Sequence, residues 1–203
     1  MNRYQILNNK NAPKVCSIAE PEIIIMDSEK ARELILDGNR LPRNTHVMGN
    51  LVLDRITNAE NIVLPYSISG DLWLDGLISA SDLVLPKSVN SLGLRKLTST
   101  ENLILPKFIN ESLYLNNLIS ATNLFIQNIG RDLCLVGLTS AEGLILPPYI
   151  GGDLFLGGLT SLNGLDLTQC GLMGGLIINS VLTKELFHRS YSHDWVLQIS
   201  FGW

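Results

Sequence analysis

The chain is short of the residues that usually carry chemistry or staple a small fold. It holds three cysteines in 203 residues, Cys16, Cys134 and Cys170. An odd, sparse count is no disulfide framework and fits a reducing compartment. Charged residues make up only 17% of the sequence, and the formal net charge is −4 with no long basic run. That balance argues against nucleic acid as a partner, because phosphate binding needs clustered Lys and Arg. Aromatics are scarce at 6%, so any core must be aliphatic. Long hydrophobic runs are missing too: nothing approaches the ~18–20 apolar residues of a membrane helix. The opening MNRYQILNNKNAPKVC lacks the apolar stretch of ~7–15 residues that a secretory signal needs. A soluble, cytoplasmic protein without membrane insertion is expected.

What is present is a repeat. Apolar residues make up 46% of the chain, too many for a disordered one. The phrase GDLWLDGLISASDLVLP at 70–86 returns as RDLCLVGLTSAEGLILP at 131–147 and as GDLFLGGLTSLNGLDL at 152–167. An LxL pair recurs at Leu51/Leu53, Leu72/Leu74, Leu92/Leu94, Leu113/Leu115, Leu133/Leu135 and Leu154/Leu156, at spacings of 21, 20, 21, 20 and 21. A second pair follows each by eleven residues, from Ile62/Leu64 through Leu83/Leu85 to Leu165/Leu167. Two single columns lie outside the pairs: Ile56, Leu77, Leu97, Leu118, Leu138 and Leu159, then Ile68, Val89, Ile109, Ile129 and Ile150.

Alternation with period two is the signature of a strand. Each unit therefore holds two short strands, and the segments between them are too short for an ordinary helix. Pro65, Pro86, Pro106 and Pro147 close the second strand, and Gln127 stands there in the fourth unit. Gly70, Gly130 and Gly151 or Gly152 lead into the next first strand, where positive φ is expected. Asn90 and Asn110 fill the same turn and tolerate that conformation. One unit cannot bury its leucines alone, but stacked units use one another as walls. Six coils ~4.8 Å apart make a rod of roughly 25–30 Å. A serine column (Ser79, Ser99, Ser120, Ser140, Ser161) marks a corner, where hydroxyls can satisfy backbone groups without a ladder partner.

The consensus LPxxIxGxLxLxxLxSAxxLxLP resembles leucine-rich-repeat and related β-solenoid arrays of bacterial and phage proteins. These include the short-repeat arrays of effectors delivered into host cells. The resemblance covers about 41–175, some two thirds of the chain. It departs from the usual LxxLxLxxNxL, because Leu77, Leu97, Leu118, Leu138 and Leu159 stand where that pattern has asparagine. The asparagine ladder is absent, so a horseshoe and a β-helix-like coil both stay open. The fold expected is mainly β: a single solenoid or leucine-rich-repeat-like array of about six coils, with a helical cap at one end and a β cap at the other. Its divisions are 1–40 for the N-terminal segment and cap, 41–175 for the repeats and 176–203 for the C-terminal cap. The resemblance implies a protein-recognition role and, for an effector, delivery to a host cell by a route that needs no signal peptide.

Both ends of an open solenoid expose strand edges and core. The segment MDSEKARELILDGNRLP reads as one amphipathic helix over 28–37. Asp27 is its N-cap candidate, Glu29 suits the helix dipole, and Gly38 is a natural stop. Lys30 stands where a capping box would have Glu or Gln. Residues 23–25 read as an added strand. At the other end Leu176 and Ile178 form a last LxL-like pair, VLTKELFHRS suggests a short helix, and DWVLQISFGW alternates. In that alternation Trp195, Leu197, Ile199, Phe201 and Trp203 face one way, as a closing strand would.

Function has to use the positions that point outward. In the second strands these are Val63, Val84, Ile104, Phe125 and Ile145, with Asp166 after them. Alternation should put polar residues outside, yet five consecutive coils put apolar ones there. Burying five such side chains would contribute roughly 7–15 kcal/mol before association costs. An apolar stripe of this kind marks a contact surface, with a cover from the same chain as the alternative. A second candidate face is Trp73, Tyr114 and Phe155, one aromatic every second coil. It suits an extended peptide or a carbohydrate, or else plain cross-strand stacking.

A non-enzymatic protein–protein interaction scaffold is therefore expected, in a bacterial setting an effector or its recognition module. Its partner is a protein, a second copy of the chain among the options. No cofactor and no metal is expected. The two histidines His188 and His193 lie five apart without cysteine pairs and miss zinc spacing. The alternative is an enzyme whose site lies in 170–203, drawn from Cys170, His188 or His193, and Asp194. No nucleophile motif surrounds those residues.

Overall fold

The computed structural model describes residues 22–183, apart from Asp82, Asn102 and Asn123. The chain is mainly β, with parallel strands stacked into a solenoid of about seven turns and one helix of nine residues. Seven two-residue strands form the first ladder: Leu51–Val52, Leu72–Trp73, Leu92–Gly93, Leu113–Tyr114, Leu133–Cys134, Leu154–Phe155 and Leu176–Ile177. All pair in parallel and in strict register, leucine against leucine. The seventh turn comes from Leu176, the last and weakest echo of the repeat.

Two strands per coil are present, but the second is not at the second leucine pair. It is one segment later, in the column of Ile68. Its strands are Thr45–Met48, Ser67–Ile68, Ser88–Val89, Phe108–Ile109, Tyr149–Ile150 and Gly171–Leu172, with Ile129 bridging Ile109 and Ile150. Along the second leucine pair no strand forms among the described residues, and the contact between coils there is a single bridge, Val84 to Ile104. The reason is a shortage of donors. The Leu83 N–H bonds back to the Ala80 carbonyl of its own coil at 3.0 Å, and Leu103, Leu124 and Leu144 do the same with Thr100, Ala121 and Ala141. The proline that follows has no N–H to give.

The leucines of both pairs point inward with the Ile68 column, and one continuous core runs the length of the described chain. Leu72, Leu74, Leu77 and their counterparts through Leu159 have no exposed surface at all. Corners are tied locally. The Oγ of Ser99, Ser140 and Ser161 accepts from the backbone N–H two residues on, at 3.1–3.2 Å. The turn glycines act differently from expectation. Positive φ falls on Gly38, Gly49, Gly143 and Gly164 and on Asn44 and Asn61, not on Gly70, Gly130, Gly151 or Gly152. Gly130 is glycine because the preceding coil presses on it: a Cβ there would collide with the Asn110 carbonyl oxygen.

The N-terminal cap is the helix Ser28–Leu36. Asp27 accepts the Lys30 N–H at 2.9 Å, as an N-cap should. Gly38, at φ +74°, and Asn39 return their N–H groups to Ile35 and Leu34, a Schellman closure. Ala31 and Ile35 are buried against the first coil. The strand Ile24–Asp27 pairs in parallel with Thr45–Met48 and extends the second ladder. At the far end a helical stretch begins at 180, with Asn179 Oδ1 accepting the Leu182 N–H at 3.0 Å. Leu182 is buried on the last coil. The alternating segment from Trp195 to Trp203 lies outside the described residues, as do Cys16, His188, His193 and Asp194.

Candidate functional site

Two of the outward sides of the coil have very different contents. The first lies over the second leucine pair. Because Leu83 and Leu103 point inward, the residues after them point out. Exposure is 38% at Val63, 80% at Val84 and Ile104, 68% at Phe125 and 66% at Ile145. These side chains form one apolar stripe across five coils. Asp166 ends it, an exposed carboxylate that accepts from the Thr168 N–H at 2.8 Å and the Thr168 Oγ1 at 2.6 Å. Those two hydrogen bonds, the hydroxyl's first, hold its pKa below the ordinary aspartate value.

The stripe's two flanks differ in charge. The chain crosses it in the same direction in every coil, so residues before the stripe lie on one flank and residues after it on the other. Before it stand Glu60, Glu101 and Glu142, all exposed. After it stand Lys87 and Lys107, also exposed. None of these five charges is in an ion pair among the described residues. The Lys87 ammonium sits 4.4 Å from the centre of the Tyr66 ring and bonds its hydroxyl. At the N-terminal end the basic flank and the stripe enclose an open groove of about 570 Å³, lined by Val63, Leu64 and Val84 with Arg43, Tyr66 and Lys87.

The second outward side lies over the first ladder. Trp73, Tyr114 and Phe155 are half-buried there. Trp73 and Tyr114 belong to coils two apart, yet their ring centres are 5.8 Å apart. Gly93 makes this possible, because a Cβ there would strike the Trp73 ring. The Arg95 guanidinium lies over both rings, 4.8 Å from Trp73 and 4.4 Å from Tyr114, and pairs with Asp75. The first two aromatics are thus joined into a cluster around Arg95, and Phe155 is separated from them by Cys134. Sequence reading of the aromatics alone missed Arg95. The signal was the column Asp54, Asp75, Arg95, where the charge changes sign beside a glycine.

A side-chain ladder beside this face was also missed. The residue before each first strand accepts from its counterpart one coil on: Asp71 N–H to Asn50 Oδ1 at 2.9 Å, Ser91 N–H to Asp71 Oδ1 at 3.0 Å, Asp153 N–H to Asp132 Oδ1 at 2.9 Å. The Asp of the recurring G/R-D-L phrase is therefore structural. It satisfies a backbone donor at the corner, much as an asparagine ladder would.

Cys134 is buried and Cys170 is half-buried, and burial pushes both thiols above their ordinary pKa. His46 Nδ1 shares a 2.6 Å hydrogen bond with Ser67 Oγ across adjacent coils, and its ring packs against Tyr66 at 5.3 Å. No carboxylate among the described residues bonds that histidine, so the third member of a nucleophilic triad is not there. No three His, Cys, Asp or Glu cluster to hold a metal among the described residues. No helix there is long and apolar enough to cross a membrane. Compared with protein-family models, with curated proteins and with solved structures, the chain finds no match.

Proposed function

We propose that this protein is a non-enzymatic scaffold for protein–protein interaction, and that its contact surface is the apolar stripe from Val63 to Ile145. The observation that carries this reading is the 66–80% exposure of four consecutive stripe residues, Val84, Ile104, Phe125 and Ile145. Contiguous apolar surface of this kind is where partners bind. A rigid solenoid suits the role, because its coils hold the contact residues in fixed register before association and little ordering entropy is lost. The aromatic side is the weaker candidate, since Arg95 already lies on the Trp73 and Tyr114 ring faces. The repeat's resemblance to effector arrays extends the proposal to a bacterial effector or its recognition module. That extension rests on the consensus and not on the stripe.

The test is a photo-reactive amino acid in place of Ile104, with a second version at exposed Asn117 on the other side as control. Covalent protein adducts are expected at 104 and not at 117. Irradiation that yields no adduct at 104 overturns the reading.

A further inference from the structure

We infer that the stripe closes on a second copy of this chain, with the two rods side by side and parallel and a two-fold axis running along the stripe. This rests on the reading of the stripe as a contact face and adds its occupant and orientation.

The argument is one of symmetry and charge. A two-fold axis brings a surface against itself, so the surface must be complementary to itself. An uncharged apolar stripe meets that condition in any orientation. The flanks do not. Rotation about an axis along the stripe exchanges left and right while keeping each coil at its own level. The acidic flank of one copy then faces the basic flank of the other, on both sides at once. Rotation about an axis across the stripe makes the rods antiparallel and sets acid against acid and base against base. Like charges juxtaposed in this way reject the arrangement. The flank charges therefore select the parallel pair.

Levels agree as well as signs. Glu101 and Lys107 flank Ile104 within one coil, so Lys107 of one copy stands level with Glu101 of the other. Lys87 lies one coil earlier, ~4.8 Å along the axis, between the levels of Glu60 and Glu101. Glu60 of the second copy stands level with the groove walled by Arg43, Tyr66 and Lys87. Asp166 meets its own counterpart, which ends the contact after Ile145. Five coils by the six-residue crossing make a footprint of about 24 by 20 Å, roughly 1,000 Å² for the two copies together. That is the low end for a specific interface, so the pair should be concentration-dependent rather than obligate.

The experiment is sedimentation equilibrium of the full chain from low to high micromolar concentration. Wild type is expected to pass from one chain mass to two. Glu101→Lys and Lys107→Glu should each weaken the dimer about tenfold or more, and the double variant Glu101→Lys/Lys107→Glu should restore it. A chain that stays monomeric throughout overturns the inference. So does a dimer that either single variant leaves unchanged, because an antiparallel pair exchanges one like-charge contact for another there. Circular dichroism of the same samples separates lost association from lost fold. Photo-adducts at position 104 that contain only other proteins reject self-pairing while sparing the contact-face reading. No adduct at all rejects both.

Discussion

Two outward sides of this solenoid, one over the first ladder and one over the second leucine pair, come from one repeat and end up opposite in character. Over the first ladder, polar and aromatic groups are consumed internally. Asp71 and Asp153 bind backbone of the neighbouring coil, Asp75 pairs with Arg95, and Arg95 lies on Trp73 and Tyr114. Over the second leucine pair the contacts are fewer: Lys87 rests on the Tyr66 ring, Lys107 lies 5.3 Å from the centre of the Phe108 ring, and no ion pair forms there among the described residues. Val84, Ile104, Phe125 and Ile145 stand exposed, and the flanking charges have no ionic partner among the described residues. The lesson is that a solenoid side can be read by what its outward groups already do. Where they are engaged, the side holds the rod together. Where they are idle, the side is open to the contact proposed above.

Three substitutions sharpen that contrast, beyond the cross-linking and sedimentation tests. The largest effect is expected at the core both sides share. Leu115 has no exposed surface, and Leu115→Ala should cost about 2–5 kcal/mol in urea unfolding. Both sides should unfold in the same transition, since neither has a core of its own. Separate transitions would show that the coils do not cooperate. Next is Arg95→Ala, which removes the ion pair with Asp75 and two ring contacts on the engaged side. A loss of about 1–2 kcal/mol is expected, with a shift in Trp73 emission and no change in association. Unchanged stability would mean that side is not knit together as described. The smallest effect is at the stripe's end. Asp166 titrates below an ordinary aspartate because Thr168 donates to it. Its contribution to stability is complete above about pH 4, the unfolded aspartate value, and fades as pH falls through its lower folded pKa. Thr168→Val removes one of the two donors and should move the carboxyl resonance of Asp166 back toward the ordinary midpoint in an NMR titration.

Much of this was legible in the residues. The 20–21-residue period, the parallel register of the LxL pairs, the corner serines and the Asp27 cap all follow from pattern and local chemistry. Hydrophobic columns say which residues point inward, and they did so for both leucine pairs. They do not say which inward segments are hydrogen-bonded to the next coil. That depends on where each N–H goes, and Leu83, Leu103, Leu124 and Leu144 spend theirs on their own turns. The ladder therefore formed at Ile68 and its counterparts instead. The glycines were read as turn residues needing positive φ, whereas Gly130 answers to the Asn110 carbonyl of a neighbouring coil, a contact between residues twenty apart.

By itself the sequence determined the coil: its length, its stack of leucines and the positions that face out, because period and side-chain polarity are local properties of the chain. Only the tertiary structure decided which outward positions were taken. Arg95 reaches Trp73 across Gly93, and Glu101 and Lys107 end up on opposite flanks of Ile104. These relations exist only when coils lie ~4.8 Å apart. At that spacing, residues twenty apart in the chain become nearest neighbours, and a scattered set of apolar residues becomes a stripe.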